Sequence, residues 1–168
     1  MVRLEKKDTI FLIIVFIVVL ADQITKFIFR NSEIAIRLIG NLLLLTPSKN
    51  YGAGFSLLQG KASLLIWFAI FVVGVIVYYY YNIPNKLRIY VALLLGGTIG
   101  NLIDRVTFGY VTDFIDINIW NGYVWGIYFK IWPAFNIADI AIFTGVIALI
   151  VYYWKKDNVD RKLRVKRK

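Results

Sequence analysis

Four apolar runs decide what this chain can fold into. Ile10–Ala21 is unbroken, and the pattern resumes after Asp22 through Ile24, Phe27, Ile28 and Phe29. Ile10–Ala21 has the length of a signal-peptide core, but no small-x-small cleavage site follows it. Residues 10–29 therefore form one helix long enough to span a bilayer, which needs about 17–25 residues. Residues 64–81 are 18 residues without a charge, the second span. Residues 89–103 and 137–154 are the third and fourth. Hydrophobic residues make up 60% of the chain and mean hydropathy is +0.68, above the roughly 45–50% apolar share of a soluble domain. The expected fold is an all-α membrane protein: one domain over residues 1–168, four transmembrane helices, an extracytoplasmic strand-containing portion and a loop acting as a lid.

The connections are polar and broken. Residues 33–60 carry Glu33, Arg37, Lys49, Pro47 and several glycines, so they cannot span. The aliphatic stretch 34–46 suits strands, and Asn50-Tyr-Gly-Ala-Gly-Phe-Ser56 is small and tight, with glycines that permit close backbone approach. Residues 82–88 form a short turn with Pro84, after an aromatic belt at Tyr78–Tyr81. Gly96, Gly97 and Gly100 make a patch where helices pack closely. Residues 106–132 are aromatic and turn-rich, and are expected to form strands, loops or an interfacial piece. Pro133 breaks the chain before the last span.

Charge fixes a topology. Eight of the 20 Lys and Arg lie from Lys155 onward. On a membrane chain this tail is a cytoplasmic anchor beside anionic lipid rather than a nucleic-acid arm. The first residues, the 82–88 turn and the tail together hold thirteen basic residues against seven elsewhere. Both termini are then cytoplasmic, and the two long connections, 30–63 and 104–136, face outward together.

The chain has no cysteine and no histidine. That removes a disulfide framework, a Cys nucleophile, a His base and the usual His zinc sites. No cofactor and no metal are expected. Proton transfer falls to Asp, Glu, Lys, Tyr or water. Ionisable groups at membrane depth are costly and mark function, and residues 96–139 hold four acids: Asp104, Asp113, Asp116 and Asp139. Asn101 and Asp104 are three apart at the end of the third span, with Arg105 on the same face; Asn136 and Asp139 repeat the spacing at the start of the fourth. Asp113, in Gly-Tyr-Val-Thr-Asp-Phe, is far enough along to fold back over them. Two carboxylates sharing one proton can activate water and protonate a carbonyl. Asp22 and Lys26 are a structural pair by their spacing. Asp104 with Arg105 reads as a structural ion-pair region, and Asp116 as a solvated loop acid. A small proton- or ion-coupled transporter uses the same residue types, although no inverted halves are evident. A Ser/Lys peptidase using Ser48 or Ser56 with Lys49 or Lys26, and a non-catalytic scaffold, are further alternatives.

These blocks resemble the lipoprotein signal peptidases (signal peptidase II), which are bacterial membrane aspartyl peptidases. The resemblance runs nearly the whole length: Asp22-Gln23 with Lys26, Asn50-Tyr-Gly-Ala-Gly-Phe55, Gly100-Asn101-Leu-Ile-Asp104-Arg105, Gly109-Tyr-Val-Thr-Asp113-Phe114 and Phe135-Asn136-Ile-Ala-Asp139. It implies that Asp113 and Asp139 are the catalytic dyad. It implies that Asp22, Lys26, Asn50, Gly52, Asn101, Asp104, Arg105 and Asn136 bind substrate or support the site. The implied reaction is an intramembrane endopeptidase cut that removes the signal peptide from a prolipoprotein, before a diacylglyceryl-modified cysteine. Implied partners are the lipid-modified precursor, membrane lipids and peptide antibiotics of the globomycin type. The implied location is the bacterial cytoplasmic membrane, with the site near the outer leaflet. Departures are Gly54 where alanine is frequent, Trp132 where phenylalanine is, and a long aromatic 117–131 segment that bears on the lid.

Overall fold

The computed structural model describes residues 5–32, 35–52, 61–119, 121–124, 127–130 and 132–166. Four long helices run Lys6–Arg30 (α1), Ala62–Tyr78 (α2), Arg88–Phe108 (α3) and Ile137–Lys166 (α4). Three are long and apolar enough to cross a membrane, and α2, at 17 residues, is just shorter. Each expected span has its helix. α1 and α3 run a turn further than the apolar runs, because polar residues at their ends face inward. α4 continues from Trp154 into the basic tail, whose charged residues are good helix formers.

The bundle is apolar outside and polar within. Phe16, Phe27, Trp67, Phe71, Phe143 and Trp154 are all at least 63% exposed. Asp22, Lys26, Asp104 and Asn136 are 0% exposed. In water this arrangement would lose the hydrophobic effect; in lipid it places apolar surface where the solvent is apolar and polar groups where they meet each other.

α3 is the central helix and packs on the other three. Its glycines make that possible. A Cβ on Gly97 would strike the Ala138 carbonyl and come 2.8 Å from Ile142 Cγ1. A Cβ on Gly100 would come 2.5 Å from Asp22 Oδ2, and one on Gly96 2.8 Å from Val18 Cβ. Any larger residue would push α1 and α4 off α3. At the end of the bundle holding the 79–87 turn, Arg88 Nη1 donates to Asp8 Oδ1 at 2.6 Å and Tyr80 donates to the same oxygen at 2.7 Å, tying α3 to α1.

The other end carries a small sheet. Strands Ile36–Ile39 (β1), Leu43–Asn50 (β2) and Val111–Ile117 (β3) pair antiparallel in that order. The register slips between Leu45 and Ser48, at Thr46 and Pro47; proline, lacking an N–H, belongs at such a bulge. Gly109 ends α3 in the left-handed conformation (φ 77°) and turns the chain straight into β3. Phe29 of α1 stacks on Phe114 of β3, with centroids 4.4 Å apart, seating the sheet on the bundle. The expected 117–131 segment begins in β3 and continues as a hairpin, Asn121–Val124 (β4) with Ile127–Lys130 (β5); Trp120 and Trp125 lie outside the described residues.

Candidate active site

Asp113 lies in β3 and Asp139 in the first turn of α4, 26 residues apart in sequence. A backbone bridge brings them together. Phe135 N donates to Ile115 O at 3.0 Å, and Phe135 O accepts from Phe114 N and Ile115 N at 3.1 and 2.9 Å. The residue entering α4 is thereby sewn to β3, and the next residue, Asn136, is delivered to Asp113.

Asn136 caps α4 and joins the two acids. Its Oδ1 accepts from Asp139 N at 3.0 Å, and its own backbone N donates to Asp139 Oδ2 at 3.1 Å. This reciprocal pair is a capping box with Asn and Asp in the two roles. The Asn136 Nδ2 donates to Asp113 Oδ1 at 2.7 Å. Asn50, at the end of β2, donates to Asp113 Oδ2 at 2.9 Å, and Asn101 of α3 donates to Asp139 Oδ1 at 2.8 Å. Each carboxylate therefore accepts two N–H bonds from groups held by three elements.

Behind the acids lies a buried charge lattice. Lys26 Nζ sits 2.8 Å from Asp22 Oδ2, 2.8 Å from Asn101 Oδ1 and 3.7 Å from Asp104 Oδ2. An ammonium can only donate, so it fixes Asn101 with its oxygen inward and its NH₂ toward Asp139. Asp22 Oδ1 also accepts from Ala138 N at 2.9 Å, a free donor at the start of α4. Asp104 accepts from Arg30 Nη2 at 2.9 Å and from Thr112 N at 2.8 Å, which holds β3 against α3. Gln23 Nε2 lies 3.1 Å from both Asp22 Oδ2 and Gly100 O.

Two sequence-based readings are corrected here. Asp104 does not pair with Arg105: consecutive helix residues point apart, and Asp104 turns inward to Lys26 and Arg30. Arg105 instead donates through Nη2 to the Gly52 carbonyl at 3.0 Å, while Gly52 N donates to Asn50 Oδ1 at 2.9 Å. Asp116 is not a solvated loop acid; it is a half-buried residue of β3, paired in register with Leu44. Asp22 and Lys26 are the buried pair their spacing predicts. Ser48 meets the Asp113 carbonyl at 3.5 Å, and Lys49 lies over the Tyr110 ring, so neither forms a Ser/Lys pair with the other. Ser56, with 53–55, lies outside the described residues. Sequence reasoning missed Arg30, Thr112 and Gln23. The signal for Gln23 was its place beside Asp22; nothing local marked Arg30 or Thr112.

A cleft of about 610 Å³ opens over Asp139, lined by Asn50, Asn101, Arg105, Trp132, Phe135 and Phe143 among others. Its walls are mainly apolar, and its polar groups converge at one end. Asp113 is only 2% exposed. Burial pushes its carboxyl up to about 7, the neighbouring Asp139 charge adds to the rise, and the Asn50 and Asn136 hydrogen bonds oppose it. Asp113 is thus close to half-protonated near neutral pH. Among the described residues no group of three or more Asp, Glu, His or Cys is spaced to hold a metal ion.

The family of Signal peptidase (SPase) II matches residues 14–155. The lipoprotein signal peptidase of Halothermothrix orenii is 36% identical over 153 residues, covering 88% of this chain and 97% of that protein. That of Moorella thermoacetica is 38% identical over 145 residues, covering 83% and 89%. A bacterial membrane enzyme solved by the in meso method at 2.3 Å resolution superposes with a TM-score of 0.76 at 33% identity, covering 89% of this chain and 90% of that one.

Proposed function

The chain belongs to the signal peptidase II family of membrane peptidases, and on that premise we propose that it is an aspartyl endopeptidase with Asp113 and Asp139 as its catalytic dyad. The supporting observation is the single asparagine, Asn136, that hydrogen-bonds both carboxylates beside an apolar cleft. The substrate is the lipid-modified prolipoprotein, cut on the amino side of its diacylglyceryl-cysteine. The apolar cleft wall suits acyl chains and an extended signal-peptide end. Arg105, Gly52 and Asn50 lie where a substrate backbone would pass. Peptide antibiotics of the globomycin type would occupy the same cleft.

The reaction needs one proton on the dyad. Asp113, the buried acid with the raised carboxyl, carries it. Asp139, held by Asn101 and by the Asn136 backbone N–H at the start of α4, is the base. A water between the acids loses a proton to Asp139 as its oxygen bonds the scissile carbonyl carbon. Asp113 gives its proton to the carbonyl oxygen. The resulting gem-diol collapses: the C–N bond breaks, Asp139 passes its proton to the leaving amine, and a diol hydroxyl returns a proton to Asp113. Every proton is returned, and no covalent intermediate forms.

The enzyme lies in the bacterial cytoplasmic membrane with both termini cytoplasmic, and the sheet end of the bundle faces outward. The test is cleavage of a precursor by purified protein in detergent. Lipidated precursor is cut, the unmodified cysteine precursor is not, and cleavage stops when either dyad Asp becomes Asn. Equal cleavage of unmodified precursor would remove the lipid-specific reading.

A further inference from the structure

A second groove, of about 510 Å³, lies along α4 away from the dyad. Phe143, Ile147, Ala148 and Val151 form its floor at helical spacing, with Tyr90 of α3 at its side. Phe143 also borders the catalytic cleft, so the groove starts beside it. It ends at Tyr152 and Lys155, toward the end of the bundle opposite the sheet. From Phe143 to Lys155 the helix rises about 18 Å, close to the depth of one leaflet's hydrocarbon, half of about 30 Å.

The groove's end is cationic. Lys86 Nζ, from the 85–87 turn, lies 4.7 Å from the centroid of the Tyr152 ring, and Lys155, three residues on from Tyr152 in α4, lines the same end of the groove. Among the described residues no salt bridge engages either lysine; the nearby Asp157 pairs with Arg161 at 2.7 Å. Two uncompensated ammonium groups at the mouth of an apolar groove of leaflet depth match one ligand shape: an acyl chain ending in a phosphate.

We propose that this groove binds an anionic glycerophospholipid, with one acyl chain along α4 and its phosphate between Lys86 and Lys155. The charge argument separates this occupant from a signal-peptide helix. A signal sequence carries a positive n-region on the cytoplasmic side of its apolar core, which two lysines repel. Phosphatidylglycerol presents the opposite charge at the same depth. A cytoplasmic-leaflet lipid held there fills the flank of α4 that α3 leaves open, next to Phe143 in the cleft wall.

Native mass spectrometry of the detergent-purified full chain tests this, with phosphatidylglycerol and phosphatidylcholine of identical acyl chains. Phosphatidylglycerol should be retained at least about tenfold more strongly, and each of Lys86→Gln and Lys155→Gln should cut that preference about fivefold. Both lysines are exposed, so the variants keep their packing, and Lys155→Glu should reverse the preference. Ala148→Phe, which fills the groove, should weaken both lipids. Soluble glycerol phosphate should not displace the lipid. Equal retention of the two lipids, or unchanged preference in the double lysine variant, would overturn the proposal. So would displacement by glycerol phosphate, which would mean a plain phosphate site, or one-for-one displacement by a synthetic signal-sequence helix.

Discussion

Asn136 Nδ2 lies 2.7 Å from Asp113 Oδ1, and this bond joins the residue that caps α4 to a carboxylate in β3. Helix start, sheet edge and candidate dyad are one construction. Removing Asn136 therefore acts on stability and on chemistry together. Asn136→Ala should cost about 1 kcal/mol from the lost cap, and about 1–3 kcal/mol more from leaving a buried carboxylate oxygen without its donor. Thermal unfolding in detergent checks the first effect. Cleavage should fall by two decades or more, while Asn136→Ser, which keeps the cap alone, should recover only the capping share of the stability, about 1 kcal/mol, and not activity.

Lys26 is the cation on which Asp22, Asp104 and Asn101 converge. Lys26→Met keeps the apolar stem and deletes the charge, leaving the buried Asp22 without its cation and Asp104 with Arg30 alone. A loss on the order of 3–5 kcal/mol is expected, and less in the Lys26→Met/Asp22→Asn pair, which removes one of those charges as well. The same double variant should stay slow, because Asn101 loses the contact that aims its NH₂ at Asp139. A double-mutant cycle of melting temperature and rate reads both.

Arg105 spans from α3 to the Gly52 carbonyl at the cleft edge. Arg105→Ala should leave the melting temperature nearly unchanged, since the bond lies at the cleft and outside the buried lattice. Cleavage should fall by a decade or more, in line with a charge-assisted hydrogen bond of about 1.5–3 kcal/mol. Normal cleavage at limiting substrate would remove Arg105 from the site.

The Asp113 carboxyl, at about 7 in the folded protein against 3.8 in its ordinary state, gives a signed pH dependence. Between those values the native state holds a proton that the unfolded chain has released, so this group's contribution to stability is full at low pH and is lost as pH rises toward 7. Asp113→Asn removes that penalty. At pH 8 the variant should be more stable than the parent, by a few kcal/mol on the order of the shift, and at pH 4 nearly equal to it. Cleavage by the parent should decline above about pH 7 as Asp113 loses the proton it must donate. Melting curves and rates across pH 4–9 check both limbs.

The helices were legible because apolar length is a direct consequence of bilayer thickness, and the strands because residues 34–46 are aliphatic where a span is impossible. Spacing alone placed Asn101 with Asp104 and Asn136 with Asp139 on single faces. It failed between neighbours: Asp104 and Arg105 are adjacent in sequence and turn to different partners, and only the packing of α1 on α3 reveals that Arg30 is the partner of Asp104. Asp116 was misread because a polar residue in a turn-rich stretch looks solvated until β3 is paired with β2. The Phe135–Ile115 bridge that closes the candidate site joins backbone atoms, and backbone pairing across 20 residues leaves no mark in side-chain pattern.

The topology makes a prediction of its own. With no native cysteine, single cysteines at positions 2, 85 and 165 should be labelled only from the cytoplasmic side, and those at 40 and 120 only from outside. Residue 40 in the sheet layer and residue 85 in the opposite turn are the decisive pair. Labelling of both from one side would break the four-helix arrangement, and exchanged sides would invert it.

The most direct test is single-turnover cleavage of a lipidated precursor by Asp113→Asn, Asp139→Asn and the double variant, each confirmed to be folded. Two carboxylates sharing one proton act as a unit. Each single change should slow cleavage by several decades, and the double change should be scarcely slower than either. Near-normal cleavage by either single variant would contradict the dyad, and so would a double variant whose loss is the product of the two single losses.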